Sequence, residues 1–250
     1  MVNPSLPDRS EWIIDCHNHI GTELIFYFQG AYPYCQDIPS LIEHQVSQRL
    51  THWIVFPFVT NRSCGINALA AGKLDFEESP EEIPYAFENW RMLKEIHDYF
   101  PEHAHRLLPF VMVDPNRRVA GQEKELRALR ERYRFHGIKI QATILESPIR
   151  GLMGEGAALV ELAREWDLPF MIHSIIAESD TWSQCADILD VAAANPDVRF
   201  CLAHSCRFHK PSLDRLASLP NTWFDCSAHI IHCQSVIRGL GNVAREEARF

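Results

Sequence analysis

The stretch WIIDCHNHIG, residues 12–21, places two histidines directly after a short apolar run. Side chains alternate between two sides of an extended segment, so His17 and His19 point the same way. Two imidazoles on one side of a strand can bind the same metal ion. The stretch therefore predicts a strand that ends at a metal site.

Six further apolar runs follow along the chain, and continuous runs of this length are typical of strands in a parallel sheet that is buried on both faces. Stretches with apolar residues at helical spacing lie between them. The predicted strands are 12–16, 53–58, 107–113, 137–140, 169–172, 198–203 and 222–226. The predicted helices are 38–49, 85–100, 118–133, 154–166, 182–195 and 212–219.

Strands that alternate with helices indicate an α/β protein, with either an open doubly wound sheet or a closed (β/α)8 TIM barrel. The sequence has no GxxxxGK[ST] motif, and no clear strand precedes Gly154-Glu155-Gly156, so the barrel is favoured. Seven strands are predicted rather than eight, and only 24 residues follow Cys226. We expect one barrel domain over residues 1–250 that lacks, or is truncated before, strand eight.

Composition restricts the partners. The 250 residues carry a formal net charge of −9, which argues against nucleic acids and anionic membranes as partners. No apolar run reaches the length of a membrane span, the N-terminus lacks a signal-peptide pattern, and the eight cysteines form no CxxC pair. We expect a cytoplasmic protein with reduced thiols and a small-molecule substrate, and the pattern leaves self-association into a homo-oligomer open.

Two more histidines follow predicted strands directly, His173 after residues 169–172 and His204 after residues 198–203. The C-terminal ends of barrel strands converge on one mouth, where active sites form. Four imidazoles at that mouth predict a divalent metal cofactor. Imidazole suits Zn²⁺ best, with Mn²⁺, Fe²⁺ or Ni²⁺ as the alternatives.

The ordered segments IIDCHNHIG, RLLPFVMVDP, HGIKIQ, LPFMIHS, RFCLAHSC and NTWFDCSA resemble the amidohydrolase superfamily, in particular its family 2 branch of hydrolases and decarboxylases. The resemblance implies that His17, His19 and His173 bind the metal. It implies that His204 either binds a second metal or hydrogen-bonds the substrate or the reacting water. The family also has an aspartate at the end of strand eight. Asp225, on the predicted seventh strand, does not match that position, and we expect it at most to support a ligand.

Three basic residues are candidates for substrate binding. Lys139 lies on the predicted fourth strand, where binuclear relatives carry a carboxylated bridging lysine; a substrate-binding charge and a structural partner of a carboxylate are the other interpretations. Arg62 and Arg207 follow predicted strands and could each clamp a carboxylate with paired hydrogen bonds, with a solvated structural role as the alternative. Residues 60–84 form a loop long enough to cover the site or to contact a second copy.

These residues predict a metal-dependent hydrolase that uses a metal-activated water on an ester, lactone or amide bond of a small organic substrate, with or without a carboxylate. A nonoxidative decarboxylase of an aromatic or unsaturated carboxylic acid would need nearly the same ligands and is the first alternative. A truncated barrel that binds metal without turnover is the second.

Overall fold

The structure is a computed structural model, which describes residues 11–22, 35–45, 50–58, 63–64, 76–77 and 83–227. Its centre is a sheet in which seven parallel strands follow one another in chain order. These strands are β1 (Ile14–Thr22), β3 (His52–Pro57), β6 (Leu107–Met112), β7 (Gly137–Ile140), β8 (Phe170–Ile172), β9 (Phe200–Leu202) and β10 (Thr222–Phe224). The short strand β2 (Cys35–Gln36) pairs antiparallel with the end of β1, and β4 (Ser63–Cys64) pairs with β5 (Phe76–Glu77) in a separate small sheet.

Helices connect the parallel strands. They are α1 (Ile38–Gln45), α2 (Ala86–Lys94, continued by a wider turn over Glu95–Tyr99), α3 (Val119–Arg132), α4 (Ala142–Leu145), α5 (Ala157–Glu165), α6 (Cys185–Ala194) and α7 (Lys210–Ser218). All seven predicted strands and all six predicted helices are present, and most of their ends are shifted by a few residues. The end of the first strand was predicted wrongly, because β1 continues from residue 16 to Thr22 and includes His17 and His19. Residues 46–49 of the first predicted helix lie outside the described residues. The sequence did not predict α4 or the three short antiparallel strands, because none of them has a recognisable apolar period.

Apolar side chains cover both faces of the sheet, which explains why its strands show no alternation of polar and apolar residues. On the inner face a small cluster is built around Phe56, Phe110, Met112 and Met171. On the outer face a larger cluster joins the strands to the helices. Every residue of β7 is buried, including Lys139.

The sheet curls into a half-barrel, which confirms the prediction of a TIM-barrel fold without an eighth strand in the described part of the chain. Within that part, β1 and β10 are not hydrogen-bonded to each other. The curl nevertheless brings the middle of β1 to the C-terminal end of β10, as the hydrogen bond between the side chains of His17 and Asp225 shows. The site therefore depends on the curvature of the sheet.

Of the helices in the described ranges, none has the length and apolar character that a bilayer span would need.

Gly156 provides a test of the packing between the loops at the mouth. A Cβ atom on this glycine would lie 2.5 Å from the carbonyl oxygen of Pro115 and 2.9 Å from that of Gly151. Because backbone atoms cannot rotate away as side chains do, we expect Gly156→Ala to lower the free energy of unfolding by about 1–3 kcal/mol.

Gly121→Ala is the matched control for this measurement by urea denaturation. A Cβ atom there would meet only the flexible Ile83 side chain, at 3.3 Å, inside α3. Alanine is favoured over glycine in a helix by about 0.5–1 kcal/mol, so this variant should be as stable as the wild type or more stable. A Gly156→Ala protein with the stability of the wild type would contradict the described packing.

Candidate functional site

Four imidazoles gather at the C-terminal ends of three parallel strands. His17 and His19 lie in the middle of β1, where His19 is in register with Phe56 of β3. His173 directly follows β8, and His204 follows β9 after one intervening residue. The ring centroids are 5.5 Å apart for His17 and His19, 5.1 Å for His17 and His204, and 4.8 Å for His173 and His204. The structure thus brings together the four histidines that the sequence singled out, at the mouth of the half-barrel.

Aromatic side chains on β3 and directly after it form one wall of this mouth. The ring of Phe56 lies edge-on to both His17 and His19, at centroid distances of 4.9 and 4.5 Å. The ring of Phe58 stacks on His19 at 4.5 Å. The shared contact with Phe56 shows that the two histidines of β1 face the same side, as strand alternation predicts.

Asp225 brings the end of β10 into the site. Its Oδ2 accepts a hydrogen bond from Nδ1 of His17 at 2.7 Å, and its Oδ1 accepts from the backbone N–H groups of His204 and Ser227, both at 2.9 Å. Burial alone would raise the pKa of this carboxyl. The hydrogen bonds and the nearby His17 outweigh burial, so the pKa of Asp225 lies well below its usual range and the group is ionised.

The same carboxylate anchors an unusual backbone segment. Residues 204–208 all have positive φ angles, between 48° and 65°, although none of them is glycine. Such conformations cost about 1–3 kcal/mol each and need support from the surroundings. The support includes the bond from the His204 N–H to the Asp225 side chain and two bonds from Ser205 to the Asp225 backbone oxygen, both 2.8 Å.

Burial keeps the four imidazoles neutral. It is the largest cause of the lowered pKa of His17 and His19, followed by the charge of Lys139, and it lowers the pKa of His204 to about 3. For His173, burial and then His204 place the pKa well below 6.5. A neutral imidazole has one nitrogen with a free electron pair, which is the form that binds metals.

Hydrogen-bond partners assign the tautomers of the β1 histidines. Nδ1 of His17 faces the Asp225 carboxylate, and Nδ1 of His19 faces the backbone oxygen of Pro57 at 3.4 Å. Both partners can only accept, so both Nδ1 atoms carry the hydrogen. The Nε2 atoms of His17 and His19 therefore have the electron pair. A carboxylate behind one imidazole is also the usual support of a metal-binding histidine.

A second pair of contacts assigns the tautomers of the other two histidines. Nδ1 of His204 lies 3.2 Å from the backbone oxygen of Ser227, an acceptor, so this nitrogen carries the hydrogen. Nε2 of His204 then accepts from Nδ1 of His173 at 3.0 Å. This leaves the electron pair of His173 on its Nε2.

The donor set fits a divalent metal by its chemistry. His17, His19 and His173 are neutral, and each has Nε2 as its electron-pair donor, while His204 uses its Nε2 in a hydrogen bond. Within the described ranges, however, no group of three or more His, Cys, Asp or Glu side chains already stands in an arrangement that could hold a metal ion. The roles of these histidines as ligands therefore remain predictions.

Lys139 lies inside the half-barrel next to the histidines. Its side chain is 1% exposed, and its Nζ has no hydrogen-bond partner in the part of the chain that the structure describes. The ammonium lies 4.6 Å from the centre of the Phe56 ring. Burial, only partly offset by Asp225, lowers the pKa of Lys139 to about 8. A buried amine without an acceptor is costly, and a bound anion would offset that cost.

The structure describes only one of the two candidate arginines. Arg62, and most of the predicted covering loop over 60–84, lies outside the described residues. Arg207 belongs to the left-handed segment after β9, and its charge contributes to the lowered pKa of His173. Arg207 is thus placed near the mouth.

The sequence assigned Asp225 at most the role of supporting a ligand, and the structure places it against His17; the sequence assigned Ser227 no role. The Ser227 hydroxyl lies 3.0 Å from Nδ1 of His17 and 2.9 Å from Nδ1 of His204. A signal was present, because Asp225 and Ser227 stand two residues apart, as His17 and His19 do, and directly follow β10. Serine is too common after strands for that spacing to be noticed without the fold.

A curled parallel sheet with helices between its strands defines a TIM-barrel-type domain, a fold in which active sites lie at the C-terminal mouth. A family model described as Amidohydrolase matches residues 67–237, well over half of the chain, and the chain belongs to that family. The match includes His173, His204 and Asp225 and begins after β1. Membership supports hydrolase or lyase activity in general, in a family that generally uses divalent metals.

Solved structures share the fold at low sequence identity. An amidohydrolase from Burkholderia multivorans with bound zinc is 15% identical, with a TM-score of 0.53, over 86% of this chain and 69% of that one. An uncharacterised TIM-barrel protein from Bordetella bronchiseptica is 8% identical, with a TM-score of 0.59, over 93% of this chain and 82% of that one. No curated protein sequence matches the chain.

The buried amine of Lys139 predicts a pH-dependent stability difference. Below pH 8 both the folded and the unfolded chain hold the proton, so the folded state bears the full cost of the buried charge. Between pH 8 and about 10.4, the usual pKa of lysine, the folded chain has lost the proton and the unfolded chain has not, so the wild type becomes more stable.

We therefore expect Lys139→Met to be more stable than the wild type by about 1–3 kcal/mol at pH 7, with the difference shrinking as the pH rises towards 10. Denaturant unfolding across this pH range measures it. The exposed Lys124→Met, on α3, is the control and should stay within about 0.5 kcal/mol of the wild type at every pH. A difference between Lys139→Met and wild type that did not change with pH would argue against a buried ammonium.

Proposed function

We propose that this chain is a metal-dependent hydrolase that cleaves an ester, lactone or amide bond of a small, carboxylate-bearing organic substrate. One observation carries the proposal: three neutral imidazoles, two from the middle of β1 and one directly after β8, have Nε2 as their electron-pair donor at the mouth of a TIM-barrel-type sheet. Family membership supports the same general chemistry.

His17, His19 and His173 would hold the divalent metal, for which Zn²⁺ is our first choice and Mn²⁺, Fe²⁺ and Ni²⁺ are the alternatives. When bound, such an ion polarises a carbonyl group and acidifies a coordinated water. Asp225 keeps the His17 ring in place through the bond to Nδ1. A buried, hydrogen-bonded carboxylate in this position also makes the imidazole a stronger donor.

His204 is the residue that we propose to exchange a proton with the reacting groups. Its ring adjoins His17 and His173 but is not needed to hold the metal, and its Nε2 has the electron pair that a proton would take. In the closed hydrogen-bond arrangement this nitrogen accepts from His173. Movement of either ring away from the other would make Nε2 available to the reacting water or the leaving group.

Lys139 and Arg207 supply positive charge for a carboxylate on the substrate. The Lys139 amine has no acceptor in the described structure, and the Arg207 charge acts at the mouth beside His173. A substrate carboxylate would suit both groups, because a buried positive charge needs a negative partner. We propose Arg62 as a third contact on the basis of its place in the sequence alone.

The metal prediction is tested by elemental analysis of the purified protein. We expect about one equivalent of divalent metal per chain in the wild type and below about 0.2 equivalents in His17→Ala and His173→Ala, since each variant removes a ligand. His103→Ala is the control, because His103 lies outside the site, in contact with Glu102, and its loss should leave the metal content unchanged.

Less than about 0.2 equivalents in the wild type, with no activity gained on adding zinc, manganese, iron or nickel, would refute the proposal. Turnover assays then separate the two chemistries that share these ligands. Release of a carboxylic acid or alcohol without carbon dioxide supports the hydrolase. Release of carbon dioxide from an aromatic or unsaturated acid would replace the hydrolase with the decarboxylase, and bound metal without turnover on either class would replace it with a metal-binding barrel.

A further inference from the structure

The hydroxyl group of Ser227 lies at a junction of three side chains that belong to different strands. Its Oγ is 2.5 Å from Oδ1 of Asp225, 3.0 Å from Nδ1 of His17 and 2.9 Å from Nδ1 of His204. Neither the sequence nor the family membership suggests a role for Ser227.

The chemistry of the partners fixes the direction of each hydrogen bond. A serine hydroxyl can donate one hydrogen bond and accept two. The ionised Asp225 carboxylate can only accept, so the Ser227 hydrogen points at Asp225, in the shortest of the three contacts. The two electron pairs of Oγ then face the Nδ1 atoms of His17 and His204. The single Nδ1 hydrogen of His17 points first at Asp225, at 2.7 Å, and is only shared with Oγ, whereas Nδ1 of His204 donates its hydrogen to Oγ.

The result is a chain of hydrogen bonds that runs in one direction. Nδ1 of His173 donates to Nε2 of His204, Nδ1 of His204 donates to Oγ of Ser227, and Ser227 donates to Asp225. If the His204 tautomer were reversed, its Nδ1 electron pair would face the Ser227 backbone oxygen at 3.2 Å, and its Nε2 hydrogen would need the electron pair of His173 on Nδ1.

We propose that Ser227 is a positioning residue, whose hydroxyl fixes the tautomer and ring orientation of His204 and, through His204, of His173. The Nε2 atom of His173 then keeps its electron pair for the metal. Only the statement that Nε2 of His173 binds a metal rests on the function proposed above. The hydrogen-bond chain itself belongs to the protein without any metal.

Side-chain nitrogen NMR of the metal-free full-length protein tests the proposal, because ¹⁵N shifts distinguish a nitrogen that carries hydrogen from one that does not. In the wild type we expect both His204 and His173 to have hydrogen on Nδ1. In Ser227→Ala, Nδ1 of His204 loses the contact with Oγ and keeps the longer contact with the backbone oxygen of residue 227. We expect the ratio of its two tautomers to fall about fivefold, the factor that one lost hydrogen bond gives, so its two ¹⁵N shifts move towards each other.

Two further variants make the result specific. Ser227→Thr keeps the hydroxyl and should restore the wild-type ¹⁵N shifts of His204. Ser205→Ala is the matched control, since it removes a buried hydroxyl that bonds the Asp225 backbone oxygen but touches no imidazole. It should leave the shifts of His204 and His173 as they are. Amide spectra that match the wild type establish that each variant is folded.

The proposal is wrong if Ser227→Ala keeps the wild-type shifts, if Ser205→Ala changes them equally, or if His204 carries its hydrogen on Nε2 in the wild type. Its failure is distinguishable from failure of the proposed function. A metal-free, inactive protein with the expected tautomers would refute the hydrolase and leave Ser227 in its role. A metal-loaded, active enzyme with unchanged tautomers in Ser227→Ala would refute the role of Ser227 and leave the hydrolase in place.

Discussion

The hydrogen bond between Nδ1 of His17 and Oδ2 of Asp225 joins the two ends of the parallel sheet. These residues are 208 positions apart in the chain, and their strands share no backbone hydrogen bond in the described structure. The bond is 2.7 Å long, and both side chains are nearly inaccessible to water, so little solvent screens it. The same carboxylate holds the left-handed segment that carries His204. One buried charge thereby sets the positions of groups from three strands.

Burial explains the charge state of the whole site. It favours the neutral form of every ionisable group, and it is the largest cause of the lowered pKa of all four histidines and of Lys139. Asp225 is the exception, because its hydrogen-bond donors compensate for the loss of water. The site therefore contains one fixed negative charge among neutral imidazoles and a lysine that has no acceptor in the described residues. This distribution suits a cation at the histidines and an anion near the lysine.

The left-handed segment shows how such a site stores strain. Five consecutive residues with positive φ are unfavourable by themselves, and none of them is a glycine that would reduce the cost. Hydrogen bonds from His204 and Ser205 to Asp225 hold the segment. Residues in strained conformations at a strand end are common at functional sites, where the surrounding structure determines a geometry that the local sequence disfavours.

Much of this could be predicted from the sequence. The apolar runs and helical periods determined the order of the seven parallel strands and their helices, because burial on both faces of a sheet leaves a local pattern. The position of each histidine directly after a run determined its place at the mouth, since the C-terminal ends of parallel strands lie at the same edge of a sheet.

Only the tertiary structure decided which atoms meet. The curl of the sheet brought Asp225 to His17, and it placed the Ser227 hydroxyl between two imidazoles. No local pattern records those contacts, because they join residues about 20 to 210 positions apart. The Lys139 side chain could point to either face of its strand until the inner cluster was known. The sequence alone thus determined the types of groups at the mouth, and long-range packing decided their hydrogen bonds, their tautomers and their charge.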